Sequence, residues 1–241
     1  MNEKASHSLT RRPLFRVAIT WFWDIPGAAL TALLIVLLLM TIYHVGFSEG
    51  LTSLQESPYL LSYAEIVSTG LLPLILTVYC KEKFSYYGIK TKGLLRAVAY
   101  SLPLVVVILL LNYFTPGQKM WEVESFHLTF PWNIWYAAIG VFAYGPLEVF
   151  FVTWLIRNTD NLLHSSSRVL SKGLMITVIL FGLLHVITSP TAGLANALRV
   201  MAEFFILGLI FKATGNVIGP MIAWSLINGQ VYAVGLGSLL P

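Results

Sequence analysis

The feature that most constrains the fold of this sequence is a succession of apolar stretches. Several of them approach the ~20 residues that an α-helix needs to cross a bilayer, and little chain is left between them for a soluble domain. Hydrophobic residues make up 57% of the chain and charged residues only 11%, which is too little polar surface to cover a soluble core. The sequence therefore predicts an all-α integral membrane protein.

The apolar stretches predict a bundle of about seven transmembrane helices. Residues 1–24 are expected to form a cytoplasmic, interfacial segment in which Asp24 caps the first helix, and residues 25–241 a single polytopic membrane domain. The approximate spans are Ile25–His44, Pro58–Cys80, Leu94–Phe114, Ile134–Arg157, Gly173–Thr188, Gly193–Ala213, and a last span from Asn216 to the C-terminus.

The loop cations predict the orientation, because cytoplasmic loops carry most of the Lys and Arg of a membrane protein. With about seven spans, one side of the membrane holds Lys119 alone. The other side holds Lys4, Arg11, Arg12, Arg16, Lys81, Lys83, Lys90, Lys92, Arg96, Arg157, Arg168, Lys172 and Lys212. We expect a cytoplasmic N-terminus and an outer C-terminus in a multi-pass protein of a prokaryotic plasma membrane. Because the basic residues lie in these loops, the net charge of +4 indicates orientation in the lipid bilayer, which is the expected partner, and does not indicate nucleic-acid binding.

Ionisable residues inside the spans are the candidates for function, because each costs roughly 2.5–3.5 kcal/mol near the bilayer centre on insertion scales. Glu65 lies near the outer end of its span, where it is expected to reach water. Three further ionisable residues and one amide lie at similar depths of roughly 14–20 Å, at about 1.5 Å rise per residue, and can share one layer. These four are Glu148, His185, Glu203 and Asn228.

Each of these residues has a functional and a structural interpretation. Glu148 follows Gly145-Pro146, where a helix proline removes a backbone hydrogen bond; its carboxyl group is either a proton acceptor or metal ligand, or a structural group held by a neighbour. His185 is either a ligand or a hydrogen-bonded core histidine. Arg199 and Glu203 are spaced i, i+4 and are predicted to form a structural ion pair.

Three short stretches give the chain a resemblance to a known family. Leu147–Val152, Phe181–His185 and Trp224–Asn228 are similar, in order and spacing, to the motifs Glu-Glu-x-x-x-Arg, Phe-x-x-x-His and His-x-x-x-Asn. These are the motifs of the CAAX protease and bacteriocin-processing family of intramembrane metalloproteases. The resemblance covers about residues 84–229, and it includes Tyr87-Gly88-Ile89 and the stretch from Thr214 to Pro220.

The chain also departs from these motifs. The family's first Glu is Leu147 here, its Arg is Val152, and the His of the third motif is Trp224. The resemblance implies that Glu148 and His185 are the catalytic residues and the ligands of a metal, zinc. Asn228 would complete the catalytic set, and Glu203 is a weak substitute for the missing ligand.

Two functions from different classes follow, and a third has weaker support. The favoured one is a catalytically silent relative that binds another membrane protein, a lipid or an isoprenoid. The alternative is an active metalloendopeptidase, in which Glu148 activates water, His185 binds metal or polarises the carbonyl, and Asn228 stabilises the oxyanion. A small transporter that uses Glu148, Arg199 and Glu203 is the third. Hydrolytic zinc generally has three protein ligands, and an indole at position 224 binds no metal, so the silent relative is preferred.

Overall fold

The structure is a computed structural model that describes residues 12–57, 60–114, 130–188 and 193–228. Within these ranges every regular element is a helix, so the prediction of an all-α protein is confirmed there. The α-helices are α1 (Pro13–Tyr43), α2 (Phe47–Glu56), α3 (Leu61–Glu65), α4 (Leu72–Tyr79), α5 (Leu94–Phe114), α6 (Trp132–Phe142), α7 (Glu148–Leu162), α8 (Lys172–Thr188), α9 (Gly193–Thr214) and α10 (Ile218–Ile227).

Three shorter elements join some of these helices. A π-helical segment, Ile66–Leu71, connects α3 to α4, and a second one, Ala143–Leu147, connects α6 to α7. A 3-10 turn, Phe84–Tyr87, follows α4. Each π-helical segment therefore makes its two flanking helices one continuous rod.

Five helices, two of which contain a π-helical segment, are long and apolar enough to cross a membrane: Pro13–Tyr43, Leu61–Tyr79, Leu94–Phe114, Trp132–Leu162 and Gly193–Thr214. Two shorter apolar helices, Lys172–Val186 and Ile218–Ile227, lie where the fifth and seventh spans are predicted. The structure thus agrees with a multi-pass helical membrane protein that has five candidate spans in its described part. The count of seven and the orientation of the termini stay predictions.

The first helix differs from its prediction. It begins at Pro13 rather than near Ile25, so Asp24 lies inside the helix and does not cap it. The physical reason is a continuous buried face: Arg16, Thr20 and Gly27 recur at helical spacing and are all buried. Pro26 is accommodated within the helix, although a proline there removes one backbone hydrogen bond.

The chain divides into two compact units. Unit one consists of Met1–Thr20, Pro73–Pro103 and Val149–Met221, and unit two of Trp21–Leu72, Leu104–Glu148 and Ile222–Pro241. Helix α7 begins at Glu148. This residue belongs to unit two, whereas the rest of the helix belongs to unit one.

In unit one, helices α8 and α9 pack closely through small residues. A Cβ atom added to Gly182 would lie 2.2 Å from Cγ of Met201, and one added to Gly208 would lie 2.3 Å from Cδ1 of Leu174. Phe181 of α8 packs edge-on against Phe204 of α9, with ring centroids 4.7 Å apart. These contacts fix the face of α8 that carries the second family-like motif.

Unit one also joins two stretches on which the family resemblance rests. The backbone N–H of Val217 donates to the carbonyl of Gly88 over 3.0 Å, and the Asn216 side chain donates to the carbonyls of Lys90 and Lys92. Gly88 has φ of +94°, and a Cβ atom there would lie 2.8 Å from the Phe211 ring, so the turn requires glycine.

Two ion pairs in unit one, the first half-buried and the second buried, involve charges that the sequence analysis assigned to loops. Arg16 binds Glu82 through both carboxylate oxygens, at 2.9 and 2.6 Å, and the Tyr87 hydroxyl donates to the same carboxylate at 2.6 Å. Burial, followed by this hydrogen bond, raises the pKa of Tyr87. Lys212 binds Asp160 at 2.7 Å, and both side chains are buried. The prediction that Arg16 and Lys212 are loop cations is therefore wrong.

In unit two the two π-helical segments pack against each other. A Cβ atom added to Gly70 would lie 2.6 Å from Cδ1 of Leu147, so glycine allows this close approach. A π-helical turn inserts one residue into an α-helix and often marks a functional site. The second segment contains Pro146 and leads directly into Glu148.

Candidate active site

The candidate site is built around Glu148, the acid that begins α7. The segment around Gly145-Pro146 is π-helical, Ala143–Leu147, so the missing proline N–H lies where the hydrogen-bond pattern changes. The Glu148 side chain is only 3% exposed. A carboxyl group at this depth of burial requires a hydrogen-bond donor.

That donor is Trp224 of α10. Its indole N–H donates to Oε2 of Glu148 with Nε1 and Oε2 2.6 Å apart, and both side chains belong to unit two. The indole is itself 3% exposed. A contact this short between nitrogen and oxygen is typical of a charge-assisted hydrogen bond. The indole therefore uses one lone pair of the acid and covers it with a large apolar ring.

The other two departures from the first motif are buried apolar residues. Leu147 is 4% exposed and packs against Gly70, and Val152 is 1% exposed. Neither position offers a charge or a hydrogen-bonding side chain. Glu148 is thus the only residue of the Glu-Glu-x-x-x-Arg pattern that brings a carboxyl group to this part of the structure.

His185 lies on α8, in unit one. Its Nδ1 is 2.9 Å from the carbonyl oxygen of Phe181, and because a carbonyl only accepts, Nδ1 carries the hydrogen. In the neutral form of the ring the lone pair is then on Nε2, the nitrogen that can accept a proton or bind a metal. The ring packs edge-on against Phe181, with centroids 4.8 Å apart, which fixes its orientation.

Arg199 and Glu203 lie on α9, also in unit one. Arg199 Nε is 3.9 Å from Oε2 of Glu203, a separation too long for a hydrogen bond. The Arg199 side chain is 54% exposed, whereas that of Glu203 is 3% exposed. Neither carboxylate oxygen of Glu203 has a hydrogen-bond partner among the described residues. The predicted pair is therefore present only as a loose electrostatic contact.

Asn228 directly follows the C-terminal end of α10 and is half-buried. Its backbone N–H donates to the carbonyl of Trp224 over 2.9 Å, which continues the helical pattern by one residue. The third family-like motif is therefore one turn of helix, with Trp224 and Asn228 at its two ends.

The described residues do not fit a zinc centre. In the ranges that the structure describes, no three His, Cys, Asp or Glu side chains gather closely enough to hold one metal ion. Glu148 already accepts a hydrogen bond from an indole that cannot ligate metal. A hydrolytic zinc needs three protein ligands and an open position, so we derive no catalytic step through a metal.

Sequence reasoning missed two features of the site region. The indole of Trp224 was considered only as a side chain that binds no metal, and not as a donor to Glu148. Asp24 was treated as a cap, whereas it lies inside helix α1. Helix α1 meets Ile66–Leu71 there, because Trp23 Nε1 donates to the Val67 carbonyl over 2.9 Å. A prediction that extended α1 to Pro13 would have placed Asp24 inside the helix.

Fold and site together define the class of protein: a multi-pass helical membrane protein with a buried glutamate closed by an indole. The family model for type II CAAX prenyl endopeptidases, Rce1-like, matches residues 127–230 of the chain. The matched segment contains all three motif stretches, so the predicted resemblance to the CAAX protease family is confirmed. Comparison with curated proteins found no match, and neither did comparison with solved structures.

Proposed function

We propose that this protein is a catalytically silent relative of the CAAX prenyl endopeptidases, which binds another membrane protein, a lipid or an isoprenoid. The observation that supports the proposal best is the 2.6 Å hydrogen bond from Trp224 to Glu148. A general base must have a lone pair within reach of the water that it deprotonates. At Glu148 the indole N–H uses such a lone pair, and the buried ring occupies the adjoining space.

The positive-inside distribution supports a topology for this role. We propose about seven spans, with the two shorter apolar helices Lys172–Val186 and Ile218–Ile227 as the fifth and seventh. The N-terminus would be cytoplasmic and the C-terminus outside, in a prokaryotic plasma membrane. Cysteine labelling from each side of the membrane, at single sites introduced in the loops, tests this arrangement.

A cleavage and labelling experiment tests the role itself. Wild type and Glu148→Gln, reconstituted in liposomes, are given a prenylated CAAX peptide and a leader peptide, and in parallel a photoreactive farnesyl probe and a photoreactive phospholipid. Native membranes are cross-linked to reveal a protein partner. We expect no cleavage by either protein and equal labelling of both. Cleavage by wild type that Glu148→Gln abolishes would refute the silent role, and absence of every kind of labelling would refute the binding role.

Metal content gives a second test that needs no substrate. Elemental analysis of purified wild type and His185→Ala is expected to find no stoichiometric zinc in either protein. Zinc that is present in wild type and lost in His185→Ala would overturn the proposal, because it would require a third ligand to exist despite Trp224.

The alternative function, an active metalloendopeptidase, draws support from one observation at His185. The hydrogen bond from Nδ1 to the Phe181 carbonyl leaves the lone pair on Nε2, which is the form that a ligand or a base requires. In this alternative Glu148 activates water and Asn228 stabilises the oxyanion. A small transporter draws support from the buried carboxylate of Glu203, which has no hydrogen-bond partner among the described residues and only a 3.9 Å electrostatic contact with Arg199. Absence of proton-coupled flux in liposomes would reject it.

A further inference from the structure

Arg157, on α7 in unit one, is a cation fixed by aromatic rings. Its Cζ lies 5.6 Å from the centroid of the Tyr86 ring and 5.3 Å from that of the Phe211 ring. Both distances are in the range of cation–π attraction. Tyr86 is positioned by Asn161, whose side-chain amide donates to the Tyr86 hydroxyl over 3.0 Å, and Phe211 is fully buried. The position of the guanidinium is therefore set before any ligand arrives.

One nitrogen of the guanidinium is buried without an acceptor within the described ranges. Arg157 Nε is buried without a hydrogen-bond partner there. The nearest acid along α7, Asp160, is already bound by Lys212 at 2.7 Å and by the backbone N–H of Gly173 at 2.9 Å. Glu82 is likewise bound, at both oxygens, by Arg16. The aromatic rings stabilise the charge of Arg157 and leave its in-plane N–H groups in need of an anionic acceptor.

The surroundings favour a phosphate as that acceptor. Arg157 lies at the end of its predicted span that faces the basic loops, in the unit that also carries the exposed side chains of Lys81, Lys83, Lys92, Arg168 and Lys172. Anionic lipid headgroups concentrate at such a surface. Arginine binds phosphate through two parallel N–H···O bonds, whereas lysine acts as a point charge.

We propose that Arg157, held by Tyr86 and Phe211, is the centre of a binding site for the phosphate of an anionic phospholipid headgroup. Inorganic phosphate has the same chemistry, but it lacks the acyl chains that keep a phospholipid in the bilayer around the protein. The proposal predicts that a phosphatidylglycerol-like lipid stabilises the protein through Arg157, and that phosphatidylcholine and free phosphate do so much less.

The test measures thermal unfolding of the full-length, delipidated protein in detergent while phosphatidylglycerol, phosphatidylcholine or inorganic phosphate is added. Wild type is compared with Arg157→Gln, Arg157→Lys and Tyr86→Leu. Arg168→Gln is the matched control, because Arg168 is exposed in the same unit and makes no ring contact among the described residues. We expect phosphatidylglycerol to raise the unfolding temperature of wild type and of Arg168→Gln equally.

Arg157→Gln should require about tenfold or more phosphatidylglycerol for the same rise in unfolding temperature, because the charge-assisted bonds are lost. Arg157→Lys and Tyr86→Leu should each lose part of it, and because Tyr86 is 46% exposed, Tyr86→Leu tests the site if Arg157→Gln does not fold. The proposal would be overturned if Arg157→Gln responded to phosphatidylglycerol as wild type does. It would also be overturned if both Arg157→Lys and Tyr86→Leu responded as wild type does. An equal response to inorganic phosphate would overturn the lipid as ligand and assign the site to free phosphate.

Discussion

Replacing Trp224 with Phe removes the indole N–H from Glu148 and keeps an aromatic ring in its place. The hydrogen bond is 2.6 Å long and both partners are 3% exposed. A hydrogen bond to a charged group contributes about 1.5–3 kcal/mol, and a buried group that loses its partner also keeps its desolvation penalty. The smaller ring leaves a cavity that adds about 1 kcal/mol. We expect Trp224→Phe to lower the free energy of unfolding by about 3 kcal/mol.

Two comparisons separate the hydrogen bond from the cavity. Trp154→Phe makes the same ring change at a fully buried indole, whose acceptor is the neutral Thr77 hydroxyl at 3.0 Å. A bond between neutral groups contributes about 1 kcal/mol, so the Trp224 change should be costlier. In a Glu148→Gln background the acceptor at position 148 is a neutral amide, and Trp224→Phe should there cost about 1 kcal/mol less than in wild type.

The assay is reversible unfolding by sodium dodecyl sulfate in mixed micelles, followed by tryptophan fluorescence and checked by circular dichroism. The double-mutant cycle over Trp224→Phe and Glu148→Gln yields the coupling between the two positions. Additive effects of the two changes would mean that the indole does not bind a charged acid, and they would contradict a silent site at Glu148.

Three further predictions use the same unfolding assay. Gly70→Ala should destabilise by about 1–3 kcal/mol, because its Cβ would lie 2.6 Å from Leu147, and Leu147→Ala in the same chain should recover part of the loss; no recovery would contradict this contact. Glu203→Met should raise stability by about 1 kcal/mol, because the buried carboxylate has no hydrogen bond among the described residues; a clear loss would reveal a missing partner. Glu82→Gln should cost about 2 kcal/mol by weakening the bidentate bond to Arg16, whereas Glu49→Gln, at an exposed cap, should cost under about 1 kcal/mol; equal losses would argue against the Arg16 pair.

The helices could largely be read from the sequence where apolar runs end at polar loops. The predicted third span, Leu94–Phe114, has the limits of α5, and the predicted sixth span ends within one residue of α9. The start of α1 could not be read this way. Arg16 resembles a loop cation until its partner is known, and Glu82 is 66 residues away in the chain. Lys212 and Asp160 are separated by 52 residues, so hydropathy and spacing carry no signal of that pair either.

The candidate residues were predictable from the sequence as positions, whereas the contacts of each one were not. Motif spacing singled out Glu148, His185 and Trp224, and the family match contains all three. The hydrogen bond from Trp224 to Glu148 depends on the orientation of an indole on another helix, which no local pattern encodes. The hydrogen bond from His185 Nδ1 to the Phe181 carbonyl could not be predicted either, because the same sequence allows this nitrogen to be bound or free.

The departures at positions 147 and 224 act on one site in a compatible way. Without a hydrogen-bond donor at position 224, the buried carboxyl group of Glu148 would lose the hydrogen bond that Trp224 provides, at a cost in stability. Trp224 supplies the missing N–H and fills the space with its ring. Leu147, beside Glu148, packs so closely on Gly70 that no Cβ atom fits there. A second carboxyl group at position 147 would therefore lose this apolar contact and bring a like charge next to Glu148. Replacing Trp224 with histidine would therefore remove the ring that packs beside Glu148 and leave Leu147 on Gly70 unchanged.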